Sequence, residues 1–193
     1  MKIFTVRHGQ THWNTEGRIQ GHMDIPLDET GLAQAERLGA RLANEKVDII
    51  YASDLLRAAK TAEIINRHHN AEFVTAPALR ETSFGIYEGQ IYHDVHYDIQ
   101  HHHALNQPLP GGESVFDYFA RIYAFLDEIT AKRHQNIIIV GHFGTVRAAI
   151  CYFLQIPIEN RERFHIGNTA VHCFERGDDG RFRMTLENDI SHL

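Results

Sequence analysis

The stretch "KIFTVRHGQTHWN", residues 2–14, opens on an apolar run and leaves it through an arginine, a histidine and a glycine. The run reads as a short buried strand, and Arg7 and His8 stand where that strand leaves the core. Such a pair has four plain explanations: a surface charge, a satisfied core histidine, a metal ligand, or chance. The fifth is that the histidine does chemistry and the arginine holds its substrate. One dipeptide cannot choose among them, so its partners must come from the rest of the chain.

Outward from that strand, the signals alternate. Residues 30–46, "TGLAQAERLGARLANEK", put Leu32, Ala35, Leu38 and Leu42 on one helical face, with Thr30 as the expected N-cap. A second strand, "VDIIYAS", leads to Ser53, expected to cap a helix over 54–67 whose stripe is Leu55, Ala58, Ala59, Ala62 and Ile65. "AEFVTAPALRE" is a third strand interrupted by Pro77, and residues 89–107 form an amphipathic helix with Ile91, Val95 and Ile99 together. A long helix follows, opened by the Ser114-x-x-Asp117 capping box. "NIIIV" is the most buried-looking strand, "GTVRAAICYFL" is helical, and the tail folds as two strands around Gly-Asp-Asp-Gly. The alternation predicts one domain over 1–193, a three-layer α/β/α sandwich whose mostly parallel sheet has an antiparallel edge.

The bulk composition narrows the functions. The chain has 193 residues, ample for a sizeable core, and a formal charge of −6 with histidines neutral. That balance speaks against nucleic acid or an anionic membrane as partner, so any anion site must be a local cluster of cations. Cys151 and Cys173 lie in apolar surroundings without metal or redox spacing, which suits core packing in a reducing cytoplasm. No targeting or membrane-spanning segment is visible.

Ligands of open parallel sheets bind beyond the carboxyl ends of the strands. Four such ends carry suitable residues: Arg7-His8-Gly9, Arg57 in the first turn after the second strand, Arg80-Glu81, and Gly141-His142. Two arginines, two histidines and a carboxyl group in one cleft make a phosphate site without a metal. Guanidinium groups grip phosphate bidentately and offset its charge in the transition state, which suits Arg7 and Arg57. Cations close by keep His8 neutral and nucleophilic. Glu81, facing a phosphate dianion, is suited to deliver a proton to a poor alkoxide leaving group. His142 would stabilise the transferring phosphoryl oxygens.

With these residues in place, the sequence resembles the histidine phosphatase superfamily, the phosphoglycerate-mutase-like enzymes whose hallmark is Arg-His-Gly. The resemblance runs through "RHGQTHWN", "GRIQGHMDIPLDETGLAQA", "SDLLRAAKTA", "LRETSFGIYEG", "PGGES", "GHFGTVRA" and "NDISHL". It implies a phosphoglycerate-mutase-like fold and a phosphohistidine on His8. Arg7, Arg57 and His142 would form the phosphate pocket, Glu81 would donate the proton, and Asn14 and Gln20 match further pocket positions. Phe143 departs from the pattern, because relatives often carry a second glycine directly after the histidine.

Mutases of the family follow the catalytic Glu with Arg-His-Tyr-Gly. Here Glu81 is followed by Thr82-Ser83-Phe84-Gly85, which resembles the phosphatase branch that includes broad-specificity and alpha-ribazole phosphatases. The expectation is a metal- and cofactor-independent phosphomonoesterase for small phosphorylated metabolites, with phosphate or vanadate held in the pocket. A cofactor-dependent phosphoglycerate mutase and a non-catalytic phospholigand-binding module are the alternatives. Residues 88–107 are expected to form a helical lid, with Phe84, Tyr87, Tyr92 and Tyr97 around the cleft mouth. The cluster His93, His96, His101, His102 and His103 with Asp94 and Asp98 reads as a solvated helix face, a metal site being the competing reading.

Overall fold

A computed structural model describes residues 1–193. Six strands, β1 (Lys2–Arg7), β2 (Ile49–Ala52), β3 (Glu72–Thr75), β4 (Asn136–Gly141), β5 (Val171–Arg176) and β6 (Phe182–Asp189), form one sheet in the order β3-β2-β4-β1-β5-β6. The first four are parallel, and the β5–β6 hairpin adds an antiparallel edge. The helices are α1 (His12–Glu16), α2 (Glu29–Leu42), α3 (Leu56–Asn66), α4 (Tyr92–Ala104), α5 (Val115–Thr130) and α6 (Phe143–Leu154).

Side-chain alternation along the strands divides the core into two layers. Ile3, Ile49, Tyr51, Ile137 and Ile139 pack with α5 and α6. Phe4, Val6, Ile50, Ile138 and Val140 pack instead with Leu38 and Leu42 of α2 and Ala58, Ala62 and Ile65 of α3. A central strand covered on both faces has no reason to alternate polar and apolar residues, hence "NIIIV". Cys151 and Cys173 are free and buried.

The sheet register makes the site. β1 and β4 pair from Lys2↔Asn136 to Arg7↔Gly141, so His8 and His142 step off two adjacent parallel strands together. The His8 N–H still donates to the Gly141 carbonyl at 2.9 Å, and the Ser53 N–H to Val140 at 2.9 Å. The ends of β1, β2 and β4 therefore open at one level.

Several helix starts differ from the sequence reading. α2 begins one residue before Thr30, and Asp28 caps it by accepting from the Gly31 N–H at 2.7 Å. Leu32, on the expected stripe, is exposed. Ser53 does not cap α3; that helix begins at Leu56, whose N–H donates to Asp24 Oδ1 at 2.7 Å. A cap supplied from a remote loop leaves no local signature. Ser114 does cap α5, accepting from the Asp117 N–H at 3.1 Å, and returns its own hydroxyl proton to Asp117 at 2.7 Å. The polar loop after Arg-His-Gly contains the short helix α1, closed by a reciprocal capping box between Thr11 and Asn14.

α4 stands apart from the two layers. Its buried side is Ile99, which joins Ile19, Tyr87 and Leu109 in a small cluster with Phe84 and Val95 against it. Backbone pairing between residues 17–19 and 89–92 ties its start to the loop after α1. No helix is long and apolar enough to cross a membrane.

Candidate active site

A cavity of about 520 Å³ opens at the carboxyl edge of the sheet. Arg7, His8, Asn14, Gln20, Arg57 and Glu81 all line it. His142 does not reach its surface; it is fully buried behind, its ring 5.2 Å from that of His8 and inclined at 62°.

The environment of His8 fixes its tautomer. Nδ1 lies 2.7 Å from the Gly9 carbonyl oxygen, which can only accept, so Nδ1 carries the proton and Nε2 keeps its lone pair. Burial, then Arg57 and Arg7, hold the imidazole well below its ordinary range, against the opposing effect of the Gly9 bond. His142 is held down in the same way, by burial first and then by Arg57 and His8, and neither of its nitrogens has a partner. Gly9 has to be glycine: a Cβ there would stand 2.5 Å from the Gly31 carbonyl at the start of α2.

Both arginines are pinned from behind. Arg7 donates to the Ile166 carbonyl at 2.7 Å; Arg57 donates to Met23 and Gly21, each at 2.8 Å. The buried Nε atoms of both have no partner. Burial draws each guanidinium down to about 10, with Glu81 opposing, so both remain cations at neutral pH. Both arginines line the same cavity, and two guanidinium groups there suit a tetrahedral oxyanion. Gln20 also lines the cavity; its buried Oε1 has no partner and can only accept, so a phosphate contact from this side chain falls to its amide nitrogen. Asn14 spends its Oδ1 on capping α1 and on Asn168, which leaves its amide nitrogen for the cavity.

Glu81 is held at both oxygens, Oε1 accepting from the Thr82 N–H at 2.9 Å and Oε2 from the Gly144 N–H at 3.2 Å. Its neighbour Arg80 is taken up by Asp54, with bonds of 2.8 and 2.6 Å, so Glu81 is not the structural partner of that arginine. Glu113, the other nearby carboxylate, is occupied by Arg121 at 2.7 Å and the Ser83 N–H at 2.8 Å.

Around the mouth, Phe84 and Tyr92 line the cavity as expected. Tyr87 instead lies in the small cluster under α4, and Tyr97 is 77% exposed beside His96. Trp13, Tyr118, Arg147 and Arg161, not singled out from the sequence, also face the cavity, and so does His103, expected on a solvated helix face. Tyr118 alone left a trace, a phenol in the apolar stripe of α5. Phe143 fills the place of the usual glycine, and its ring lies 5.4 Å from the Arg7 guanidinium and 4.1 Å from that of Arg147. No group of three or more His, Cys, Asp or Glu side chains is placed to hold a metal ion; His96 turns its Nδ1 to the His93 carbonyl at 2.7 Å.

The profile of the histidine phosphatase superfamily (branch 1) matches residues 3–190. The chain belongs to that superfamily. A putative phosphoserine phosphatase 2 from Hydrogenobacter thermophilus is 35% identical, covering 88% of this chain and 87% of its own. Phosphoglycerate mutase-like protein 4 from Arabidopsis thaliana is 33% identical over 100% of this chain and 86% of its own. Among solved structures, a mycobacterial glucosyl-3-phosphoglycerate phosphatase complexed with VO3 superimposes with a TM-score of 0.85. It is 28% identical and covers 97% of this chain and 98% of its own. The names on similar chains divide between phosphatase and mutase.

Proposed function

We propose that this phosphoric monoester hydrolase works through a phosphohistidine on His8. The observation that carries the reading is the His8 Nδ1–Gly9 bond, which leaves a neutral Nε2 lone pair between two buried guanidinium groups. In the first step Nε2 attacks phosphorus in line as the phosphorus–oxygen bond to the leaving group breaks. Glu81 gives its proton to the departing oxygen. In the second step Glu81 takes a proton from water, the hydroxyl attacks phosphorus, and the nitrogen–phosphorus bond breaks. Its electron pair returns to Nε2, inorganic phosphate leaves, and Glu81 is protonated again. Arg7 and Arg57 offset the charge on the equatorial oxygens, the task a magnesium ion performs elsewhere, and His142 supports the cradle from behind. Asn14 and Gln20 serve as further phosphate contacts, and α4 within residues 88–107 acts as the lid over the leaving group.

Para-nitrophenyl phosphate should be hydrolysed in the presence of chelator and inhibited by vanadate, with dependence on His8. Loss of turnover in chelator, restored by one particular ion, would refute the metal-free mechanism. The mutase reading draws support from the mutase-like relative. Supplying 3-phosphoglycerate with its bisphosphate separates the two: the phosphatase releases phosphate faster than it forms 2-phosphoglycerate, and a mutase does the reverse.

A further inference from the structure

The outer half of the cavity carries charge that hydrolysis at His8 does not use. Arg147 on α6 and Arg161, in the 3-10 turn Ile158–Arg163, both line it. Their side chains are 13% and 17% exposed, yet they share one carboxylate, that of Glu162. Glu162 Oε2 lies 2.8 Å from Arg147 and Oε1 3.4 Å from Arg161, and its side chain is 65% exposed. Two largely buried cations with one solvent-facing counter-ion are under-neutralised, and an exposed ion pair is cheap to exchange. Across the cavity His103 of α4, whose buried Nε2 has no partner, lies near the same charges.

The position of this cluster is set by Phe143, whose ring is in contact with both Arg7 of the phosphate cradle and Arg147. A leaving group extending from the phosphate past Phe143 leads toward Arg147, which stands against the same ring as Arg7, and toward Arg161, which shares Glu162 with it. Building on the phosphatase reading above, we propose that Arg147 and Arg161 form a second anion subsite. It takes a carboxylate on the leaving group, so the substrate class is a small phosphorylated hydroxy or amino acid. In the empty enzyme Glu162 occupies the place of that carboxylate, and the substrate displaces it into solvent. Both guanidinium groups are already anchored, Arg147 on the Phe164 carbonyl at 2.9 Å and Arg161 on Ile158 at 3.2 Å, so little ordering remains to be done.

The test compares 3-phosphoglycerate with glycerol 3-phosphate, which share a carbon skeleton and differ in carboxylate against hydroxymethyl. The wild type should prefer the acid by about tenfold or more in kcat/KM, the worth of one charge-assisted hydrogen bond. Arg161→Gln should lower that ratio toward one, chiefly through KM for the acid. Glu162→Gln, a change on an exposed side chain, should raise it. An acid-to-neutral ratio that is the same in all three proteins overturns the subsite. Failure of every protein to hydrolyse para-nitrophenyl phosphate would instead overturn the phosphatase reading. Calorimetry on His8→Ala then tests the subsite alone: tighter binding of the acid, abolished by adding Arg161→Gln, supports it, and equal binding refutes it.

Discussion

The floor and the roof of this cavity are built on different principles. The floor is made of strand ends: Arg7 closes β1 and His8 follows it, His142 follows β4, and the β1–β4 register puts the two histidines side by side. His8, Arg57 and His142 are buried and Arg7 is half-buried, and both arginines are held from behind by backbone carbonyls. The roof is α4, fixed through one small cluster and one stretch of backbone pairing, with Tyr92 at the cavity mouth and His93 and Tyr97 in solvent. Geometry that must hold a transition state belongs on rigid elements; contacts that select a leaving group tolerate a looser support. Substitutions should accordingly divide sharply between the two.

The largest effect is expected at the centre of the floor. His8→Ala removes the nucleophile and should cut turnover of any phosphomonoester by at least about 10⁴-fold, measured as kcat on para-nitrophenyl phosphate. An effect under tenfold would dissolve the distinction. Next comes Glu81→Gln, which keeps the shape and cannot transfer a proton. Its phosphorylation step should slow by about 10²–10⁴-fold on an alkyl phosphate and much less on the nitrophenyl ester, whose leaving group needs no proton. Single-turnover rates are required, because dephosphorylation is common to both substrates.

Gly144→Ala tests whether Glu81 needs its exact seat. The added Cβ would stand 2.5 Å from Glu81 Oε1 and 2.9 Å from the Tyr118 hydroxyl, so the carboxyl group must move. A loss of about 10²-fold in kcat on alkyl phosphates, with the fold intact by circular dichroism, is the expected result. Normal activity would show that the Gly144 contact to Glu81 is dispensable.

How much of this was legible before the fold was known follows the same division. Strand ends could be read because an apolar run stops abruptly at residues of unlike chemistry, as at Val6-Arg7 and Val140-Gly141. Arg7, His8, Arg57 and Glu81 line one cavity, His142 lies buried behind His8, and Arg80 turns away to Asp54. The outer wall could not be read. Arg147 sits inside a helix whose pattern is fixed by its buried side, and Arg161 lies in a short turn with no periodicity at all. Their meeting at Glu162 depends on how α6 and that turn pack. The α3 cap is a similar case, since Asp24 and Leu56 come together only through tertiary structure. Tyr97 was placed at the mouth on residue type alone, and a one-position phase on a helix decides whether such a ring faces the cavity or water.

Stability gives a smaller contrast. His172 on β5 is fully buried with both nitrogens unpartnered, and burial holds it near 4 against an ordinary 6.5. The folded state keeps it neutral while the unfolded chain takes up a proton below 6.5. Its contribution is therefore complete above that pH and is lost as the pH falls toward 4, at about 1.4 kcal/mol per pH unit. His8 and His142 act in the same direction. Urea titrations from pH 7 to 5 should show falling stability, and His172→Gln should flatten the slope by one proton; an unchanged slope would mean that His172 is charged in the fold. At the far end of the scale, Tyr97→Ala on the roof should change stability by less than about 0.5 kcal/mol, as exposed positions do. Its kcat should stay within twofold, and a larger loss would bring the roof into the chemistry.

The proposed mechanism turns on one bond, between phosphorus and His8 Nε2. A phosphohistidine survives alkali and breaks in acid, so turnover of a labelled substrate can be quenched in base and the digest examined by mass spectrometry. The phosphoryl group should appear on the peptide carrying Arg7-His8-Gly9 and vanish in His8→Ala. Label on His142, or on a serine or aspartate, in the active enzyme would contradict the mechanism.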